Sequence, residues 1–348
     1  MKRRDFLIGA AASAATVAGV SAIARAQAGS PVAVQEWDKG SPAQVSPAKL
    51  ARVSIMTYNF TSMLKLEGQP DSPARILNVF DLPQLYADTY GVHNIEFQHS
   101  HFASTETSYL KDLRARIEKA KSQMTQINVE FGQMTFSAPD PVQRYQAIDL
   151  TMRWVDHAVT LNCPRIMVNQ GQLTTETKAN ALAALRAMGD YGKSKGVKIS
   201  VETRVVNGGG GNRGRVGGFG GPAGAPAAVQ PTAAPAPQMA AAPSGLPLSA
   251  PGGPPAWVLV KEVVEATGTY SNVDVGNIQA PDQASLHSVI KGLFPTSSGN
   301  MHMKVSPNWD LPTAIRFTNN ELGYKGLYSI EVNPPLIRGV YTTILENI

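Results

Sequence analysis

The chain has 348 residues, of which 31 are basic and 26 acidic, for a formal net charge of +5. Four of the basic residues and one acidic residue lie within the first 28 positions, so the rest of the chain carries 27 basic and 25 acidic residues. A nearly neutral chain without a basic stripe argues against a nucleic-acid partner. The one cysteine, Cys163, excludes a disulfide bond within the chain.

The first 28 residues have the pattern of a secretory signal. A basic start is followed by a short apolar run rich in Ala and Gly, and then by an Ala-x-Ala motif that ends at Ala28. The apolar run is too short for a stable membrane anchor. The sequence RRDFL, which begins at Arg3, is the twin-arginine form of such a signal. We therefore predict removal of residues 1–28, export to the periplasm or the medium, and no membrane span afterwards.

Residues 29–50 are rich in Pro, Ser and Ala and predict an extended lead-in. From residue 51 onward, β-rich segments alternate with amphipathic patterns of helical period. The predicted strands are 52–58, 93–98, 127–132, 165–171, 198–202, 270–277, 300–306 and 326–332, and helices are predicted at 110–124, 144–161, 179–196 and 256–268. This alternation favours a (β/α)8 TIM barrel, with an open doubly wound sheet as the alternative.

One segment interrupts the rhythm. The first five predicted strands start 33 to 41 residues apart, but the sixth starts 72 residues after the fifth. The excess, residues 207–255, is almost entirely Gly, Pro and Ala and predicts a disordered insertion in the barrel domain 51–348. Its Gly209, Gly211 and Gly214 match G-x-G-x-x-G, but no helix follows and the next acidic residue is Glu262, which argues against dinucleotide binding.

Carboxylate and imidazole groups recur at the ends of four consecutive predicted strands. Glu202 closes the fifth strand, Asp274 the sixth and Glu331 the eighth, and His302 lies in the seventh. In a barrel these ends meet at the functional face. Mixed oxygen and nitrogen donors without thiolates favour a divalent metal such as Mn²⁺, Mg²⁺, Co²⁺ or Zn²⁺. We predict that the four side chains bind one such ion.

In order and spacing, these motifs resemble those of the xylose isomerase-like TIM-barrel family, the sugar phosphate isomerase/epimerase group. The matching motifs are V-E-T-R (201–204), D-V-G-N (274–277), H-M-K (302–304) and G-Y-K-G-L-Y-S-I-E (323–331), and the resemblance covers 52–348 apart from the insertion. It implies that Glu202, Asp274, His302 and Glu331 are the metal ligands. It also implies that the two glutamates form an acid/base pair. The chain departs from the family pattern at Thr203, Arg204 and Asn277.

The resemblance implies a divalent-metal-dependent isomerase or epimerase that acts on a sugar or keto-sugar through an enediolate. The metal would polarise a carbonyl, one glutamate would remove the neighbouring proton and the other would return it. Lys304 could neutralise a substrate oxyanion, or pair with Glu331 or Asp274. Glu96 could equally brace the barrel. We expect sugar contacts from Tyr58, His99, His101, Asn277 and Trp309.

Other functions stay open at this point. Export favours a free sugar, an oxidised sugar or a glycoside over a sugar phosphate. Enediolate chemistry also permits β-elimination, so that a 3-keto-glycoside lyase is an alternative, as is a non-catalytic sugar-binding barrel. A multi-metal hydrolase is disfavoured because the chain has only six histidines. The sequence does not determine which metal binds, which sugar is the substrate, or whether the chain forms a homo-oligomer.

Overall fold

The computed structural model describes residues 38, 40–203, 254–278 and 280–348, which all belong to one compact unit. The predicted signal peptide, the start of the predicted lead-in and nearly all of the predicted insertion lie outside the described residues. Arg204 and the three glycines of the G-x-G-x-x-G match also lie outside them. Among the helices that are described, none has the length and apolarity needed to cross a membrane.

Eight parallel strands form a closed barrel, in which each strand pairs with its neighbours in sequence and the last pairs with the first. The strands are β1 (Val53–Met56), β2 (Asn94–Gln98), β3 (Gln123–Val129), β4 (Arg165–Asn169), β5 (Lys198–Glu202), β6 (Tyr270–Asp274), β7 (Ser297–Met303) and β8 (Leu327–Ile330). The TIM barrel is therefore confirmed. The alternative of an open doubly wound sheet is wrong, because β1 and β8 close the ring.

Helices follow the strands in the order expected for crossover connections. In the described part of the chain they are α1 (Pro47–Leu50), α2 (Leu82–Tyr90), α3 (Thr107–Lys119), α4 (Pro141–Thr160), α5 (Lys178–Ser194), α6 (Ala256–Thr267), α7 (Gln283–Leu293), α8 (Leu311–Arg316) and α9 (Pro334–Asn347). The four predicted helices correspond to α3 to α6. Helix α1 forms a single turn within the segment that was predicted to be an extended lead-in.

The third strand begins earlier than predicted. Helix α3 ends at Lys119, and Lys121 adopts a left-handed backbone conformation (φ 54°) that leads directly into β3 at Gln123. The helix prediction extended to residue 124 because Met124 continues the apolar spacing of the helix. In the structure Met124 is instead buried as a strand residue.

The interior of the barrel is polar. Side chains of a strand alternate between its two faces, and Glu96 of β2 contacts Asn300 and His302 of β7, which shows that these residues point to the centre. The fully buried polar residues that contact one another there are Glu96, Gln126, Asn128, Asn272, Asn300, His302 and Ser329. Intervening apolar residues such as Ile95, Ile127 and Val273 are also fully buried. By alternation they face the surrounding helices and form the apolar core outside the barrel.

Candidate metal site

The four predicted ligands meet at the carboxyl ends of β5 to β8. Glu202, Asp274, His302 and Glu331 each place one donor atom within 4.8 Å of the donor atoms of the other three. The first three side chains are buried, and that of Glu331 is 11% exposed. The cluster therefore lies inside the mouth of the barrel, with Glu331 at the border with solvent.

The turn after β6 orients Asp274. Its Oδ1 atom accepts hydrogen bonds from the backbone N–H groups of Gly276 and Asn277, at 2.9 Å each. This fixes the carboxylate so that Oδ2 faces the other three side chains. Glycine is required at position 276, because a Cβ atom there would lie 2.5 Å from the Lys304 side chain. The turn thus positions both a candidate ligand and the lysine beside it.

The two ring nitrogens of His302 have different surroundings, since Nε2 faces the barrel interior and Nδ1 faces the cluster. Nε2 lies 2.7 Å from Glu96 Oε1. Nδ1 lies 3.0 Å from Glu331 Oε2, 3.4 Å from Glu202 Oε1 and 3.7 Å from Asp274 Oδ2. Within the described part of the chain, His302 Nδ1 and Glu331 Oε2 are buried without a hydrogen bond, and Asp274 Oδ2 is paired with the Lys304 ammonium at 2.7 Å. Three donor atoms that converge in this way fit a shared cation.

Lys304 joins two of the carboxylates. Its Nζ atom lies 2.7 Å from Asp274 Oδ2 and 2.8 Å from Glu331 Oε1, and it donates to Asn277 Oδ1 at 3.1 Å. Burial lowers the pKa of Lys304, but the charges of Asp274, Glu331 and Glu202 raise it more, so that the ammonium stays protonated. The predicted pairing of Lys304 with Asp274 or Glu331 is thus present with both. Its role toward a substrate oxyanion stays a prediction.

Acidic groups outnumber basic groups among the described residues of this site. There the carboxylates of Glu96, Glu202, Asp274 and Glu331 surround one lysine and one histidine. Buried like charges repel one another and need compensation. Burial raises the pKa of Asp274, but the Lys304 ammonium lowers it overall. For Glu331, burial and the charge of Asp274 raise the pKa above its usual value, although Lys304 opposes them.

The sequence analysis left the role of Glu96 undecided and missed the layer around it. Glu96 is fully buried below His302, and its donors are Gln126, Asn128, Asn300, Ser329 and His302. Burial raises its pKa, but the charge and hydrogen bond of His302 and the other donors lower it to about 2. The signal was the alternation of polar and apolar residues in the strands, since barrel strands covered on both faces are usually apolar throughout.

The two histidines after β2 have different surroundings. His99 is half-buried, accepts the Glu130 backbone N–H at Nδ1 (3.3 Å) and packs edge-on against Trp154. Burial lowers the pKa of His99 to about 4. His101 is buried, and its nitrogens contact Thr57 Oγ1 (2.9 Å) and Thr61 Oγ1 (3.1 Å). A sugar hydroxyl could reach His101 only by displacing one of these threonines, whereas His99 lies nearer to solvent.

The other predicted sugar contacts lie after β1, β6 and β7. Tyr58 is half-buried in a 3₁₀ turn that follows β1. Asn277 is half-buried, and its side-chain oxygen is held by Lys304. Trp309 is only 7% exposed and therefore presents little indole surface for stacking on a sugar ring. All three contacts stay predictions.

A cavity of about 160 Å³ lies at the ends of β3 and β4. Glu130 and Asn169, which follow or close these strands, are among its lining residues together with Phe131 and Thr135. Asn169 is the register partner of Glu202 in the sheet. Val168 of β4, Thr151 of α4 and Met188 of α5 also line the cavity, which places it between the barrel strands and the helices outside them.

Comparisons with known proteins agree with this architecture. A family model described as xylose isomerase-like TIM barrel matches residues 85–214 and thus supports the resemblance to that family. A comparison of the sequence with curated proteins found no match.

Solved structures share the fold at low sequence identity. A xylose isomerase-like TIM barrel protein from Mycobacterium smegmatis, in complex with magnesium, has 11% identity and a TM-score of 0.56 over 87% of this chain and 98% of its own. A D-psicose 3-epimerase from Clostridium cellulolyticum, with D-tagatose, has 13% identity and a TM-score of 0.51 over 81% and 85%. A sugar phosphate isomerase/epimerase from Parabacteroides distasonis has 9% identity and a TM-score of 0.52 over 90% and 95%.

We expect the cluster to bind one Mn²⁺ per chain. At 100 times its Kd, Mn²⁺ should raise the free energy of unfolding of chelator-treated protein by about 2.7 kcal/mol. Asp274→Asn should abolish this gain, because it removes a converging charged donor. Thermal or urea unfolding with and without Mn²⁺ measures the effect.

The matched control is Asp282→Asn, which alters an exposed carboxylate that accepts from Ser285 N at 2.7 Å in the connection after β6. This variant should lose some stability but keep the full response to Mn²⁺. The assignment of the site is contradicted if Mn²⁺ fails to stabilise the unaltered protein, or if Asp274→Asn responds as the unaltered protein does.

Proposed function

We propose that this chain is a divalent-metal-dependent enzyme of the sugar isomerase/epimerase type, which moves a proton on the carbon next to a carbonyl group. The observation that carries the proposal is the convergence of four donor atoms, from Glu202, Asp274, His302 and Glu331, within 4.8 Å of one another at the mouth of the barrel. In the described part of the chain, His302 Nδ1 and Glu331 Oε2 are also buried without a hydrogen bond. A divalent cation would give these atoms a shared partner at the face where TIM-barrel enzymes place their chemistry.

Glu202, Asp274, His302 and Glu331 would hold the ion. When bound, it would supply a Lewis acid that polarises a carbonyl and a neighbouring hydroxyl of the substrate. The donor set of three carboxylates and one imidazole suits Mn²⁺, Mg²⁺, Co²⁺ or Zn²⁺. The similar fold of a Mycobacterium smegmatis protein described in complex with magnesium supports a divalent ion in this kind of barrel.

Glu202 and Glu331 are proposed to move the proton. They close β5 and follow β8, which are separated by two strands in the barrel, so they approach the centre of the mouth from different sides. Such an arrangement suits removal of a proton from one face of a carbon and its return to the other face. Lys304 holds Glu331 at Oε1, so that Oε2 faces the centre of the site.

The substrate class follows from chemistry and from similarity. Proton transfer next to a carbonyl requires a carbonyl compound with a hydrogen on the neighbouring carbon, and among sugars ketoses, aldoses and keto-sugars meet this condition. Proteins described as D-psicose 3-epimerase and sugar phosphate isomerase/epimerase have the same fold, which supports a sugar as substrate.

Proton transfer can be tested by exchange with deuterium from the solvent. With Mn²⁺ present, a panel of ketoses and keto-glycosides should contain at least one compound that incorporates deuterium next to its carbonyl. Glu202→Gln and Glu331→Gln should each slow this exchange by about 10²-fold or more, because a positioned base is lost. NMR or mass spectrometry measures the exchange.

Metal content is measured in parallel, because both glutamates are also candidate ligands. The control is Glu262→Gln, which alters a surface carboxylate paired with Lys178 and should leave exchange unchanged. Release of an aglycone from a keto-glycoside together with exchange would identify a lyase. Metal binding without exchange for any compound would contradict the proposed enzyme and favour a sugar-binding barrel.

The proposal includes export by the twin-arginine route, on the strength of the sequence RRDFL and the Ala-x-Ala motif. Full-length protein expressed in a bacterium with this pathway should appear outside the cytoplasm with Gly29 as its first residue. Replacing Arg3 and Arg4 by lysines should retain it in the cytoplasm, since that pathway reads the arginine pair. Cell fractionation and N-terminal sequencing give the result. Cytoplasmic protein that still begins at Met1 would contradict export.

A further inference from the structure

We propose that Glu96 is a positioning residue, which fixes His302 as the Nε2–H tautomer and directs the Nδ1 lone pair at the divalent cation. This inference rests on the proposed metal site. It adds to that site a residue that does not contact the ion. It also gives a purpose to a fully buried carboxylate in a part of the barrel that is usually filled by branched apolar side chains.

Both oxygens of Glu96 are surrounded by donors. Oε1 lies 2.7 Å from His302 Nε2, and Oε2 accepts from Ser329 Oγ at 2.6 Å. The remaining donors are the side-chain amides of Asn128 (2.6 Å) and Gln126 (3.0 Å) on Oε1, and of Asn300 (2.9 Å) on Oε2. These donors come from β3, β7 and β8, so the position of the carboxylate is set from several strands at once.

The donors leave one arrangement for His302. Three amide N–H groups, which can only donate, point at the two oxygens of Glu96, and this favours its ionised form. The nitrogen of His302 that faces it must then carry the proton. In the neutral ring the lone pair is left on Nδ1, which faces Glu202, Asp274 and Glu331. Histidine ligands in proteins commonly donate their second N–H to a carboxylate, which sets the tautomer and strengthens the ligand.

The amides around Glu96 indicate that the negative charge of its side chain is important, and not only its size. Gln126 and Asn300 both direct their N–H groups at Glu96, and within the described residues their own side-chain oxygens, Gln126 Oε1 and Asn300 Oδ1, are left without a partner. These two amides therefore donate to the carboxylate of Glu96, while their own side-chain oxygens accept no hydrogen bond from the described residues. A neutral residue could fill the same space at lower cost. The negative charge of Glu96 acts on His302, since Oε1 lies 2.7 Å from Nε2 of the ring.

The direct variant is Glu96→Gln, which keeps the size of the side chain and removes its charge. Rotation of the Asn300 amide would present its free Oδ1 to the new N–H group, so we expect the variant to fold. Its Kd for Mn²⁺, measured by EPR of free Mn²⁺, should be weaker by about 10- to 100-fold. Thermal unfolding of the metal-free protein reports separately on the fold.

The matched control is Ser271→Ala, which removes a buried strand hydroxyl that donates to the backbone oxygen of Leu293 at 3.2 Å, outside the set of donors to Glu96. This variant should lose stability but keep its Kd for Mn²⁺ within about two-fold, since the carboxylate of Glu96, its donors and its bond to the ring remain. Nitrogen-15 NMR of the unaltered, Zn²⁺-loaded protein should show His302 protonated at Nε2 and metal-bound at Nδ1. That measurement does not depend on any variant.

Three results would overturn the inference while leaving the metal site intact. They are a folded Glu96→Gln variant with unchanged Kd, a Ser271→Ala variant weakened as much as Glu96→Gln, or an Nδ1–H tautomer in the loaded protein. Failure of the unaltered protein to bind Mn²⁺ would instead contradict the proposed function, and this inference with it.

Discussion

The structure depends on how buried negative charge is compensated at one end of a closed barrel. Buried carboxylates must be paired or saturated with donors, because water cannot solvate them. Asp274 receives two backbone N–H groups and the Lys304 ammonium, and Glu96 receives a set of side-chain donors. The remaining donor atoms of the cluster, among them Glu331 Oε2 and His302 Nδ1, face one point at the mouth of the barrel. The proposed divalent cation would complete the compensation there and account for the convergence of the donor atoms.

This arrangement requires a barrel with a polar interior. The strands carry Gln, Asn, Glu and Ser side chains inward, and the apolar core lies between the strands and the helices. The donors that hold Glu96 and His302 therefore come from strands rather than loops. Sites on regular elements keep their geometry better than sites on loops. The apolar layer between the strands and the helices stabilises the fold. The polar layer inside the barrel orients the candidate ligands.

Much of this could be predicted from sequence, because strand ends in a barrel converge. The period of the strands and helices gave the fold, and reading the strand ends gave Glu202, Asp274, His302 and Glu331. The start of β3 could not be predicted, since Met124 satisfies helical and strand spacing alike. Glu96 and His302 are 206 positions apart in the sequence and meet across the barrel, so no local sequence pattern predicts their contact. The pairing of Lys304 with both Asp274 and Glu331 could not be predicted either, because it depends on the close approach of the turn at Gly276 to the lysine side chain.

The central claim is that one divalent ion sits among Glu202, Asp274, His302 and Glu331. A crystal of the protein grown with Mn²⁺, measured at a wavelength where manganese scatters anomalously, tests this most directly. The account predicts one strong anomalous peak about 2.0–2.3 Å from a donor atom of each residue, including His302 Nδ1. Absence of a peak there in crystals soaked at saturating Mn²⁺, or a peak bound elsewhere on the chain alone, would contradict it.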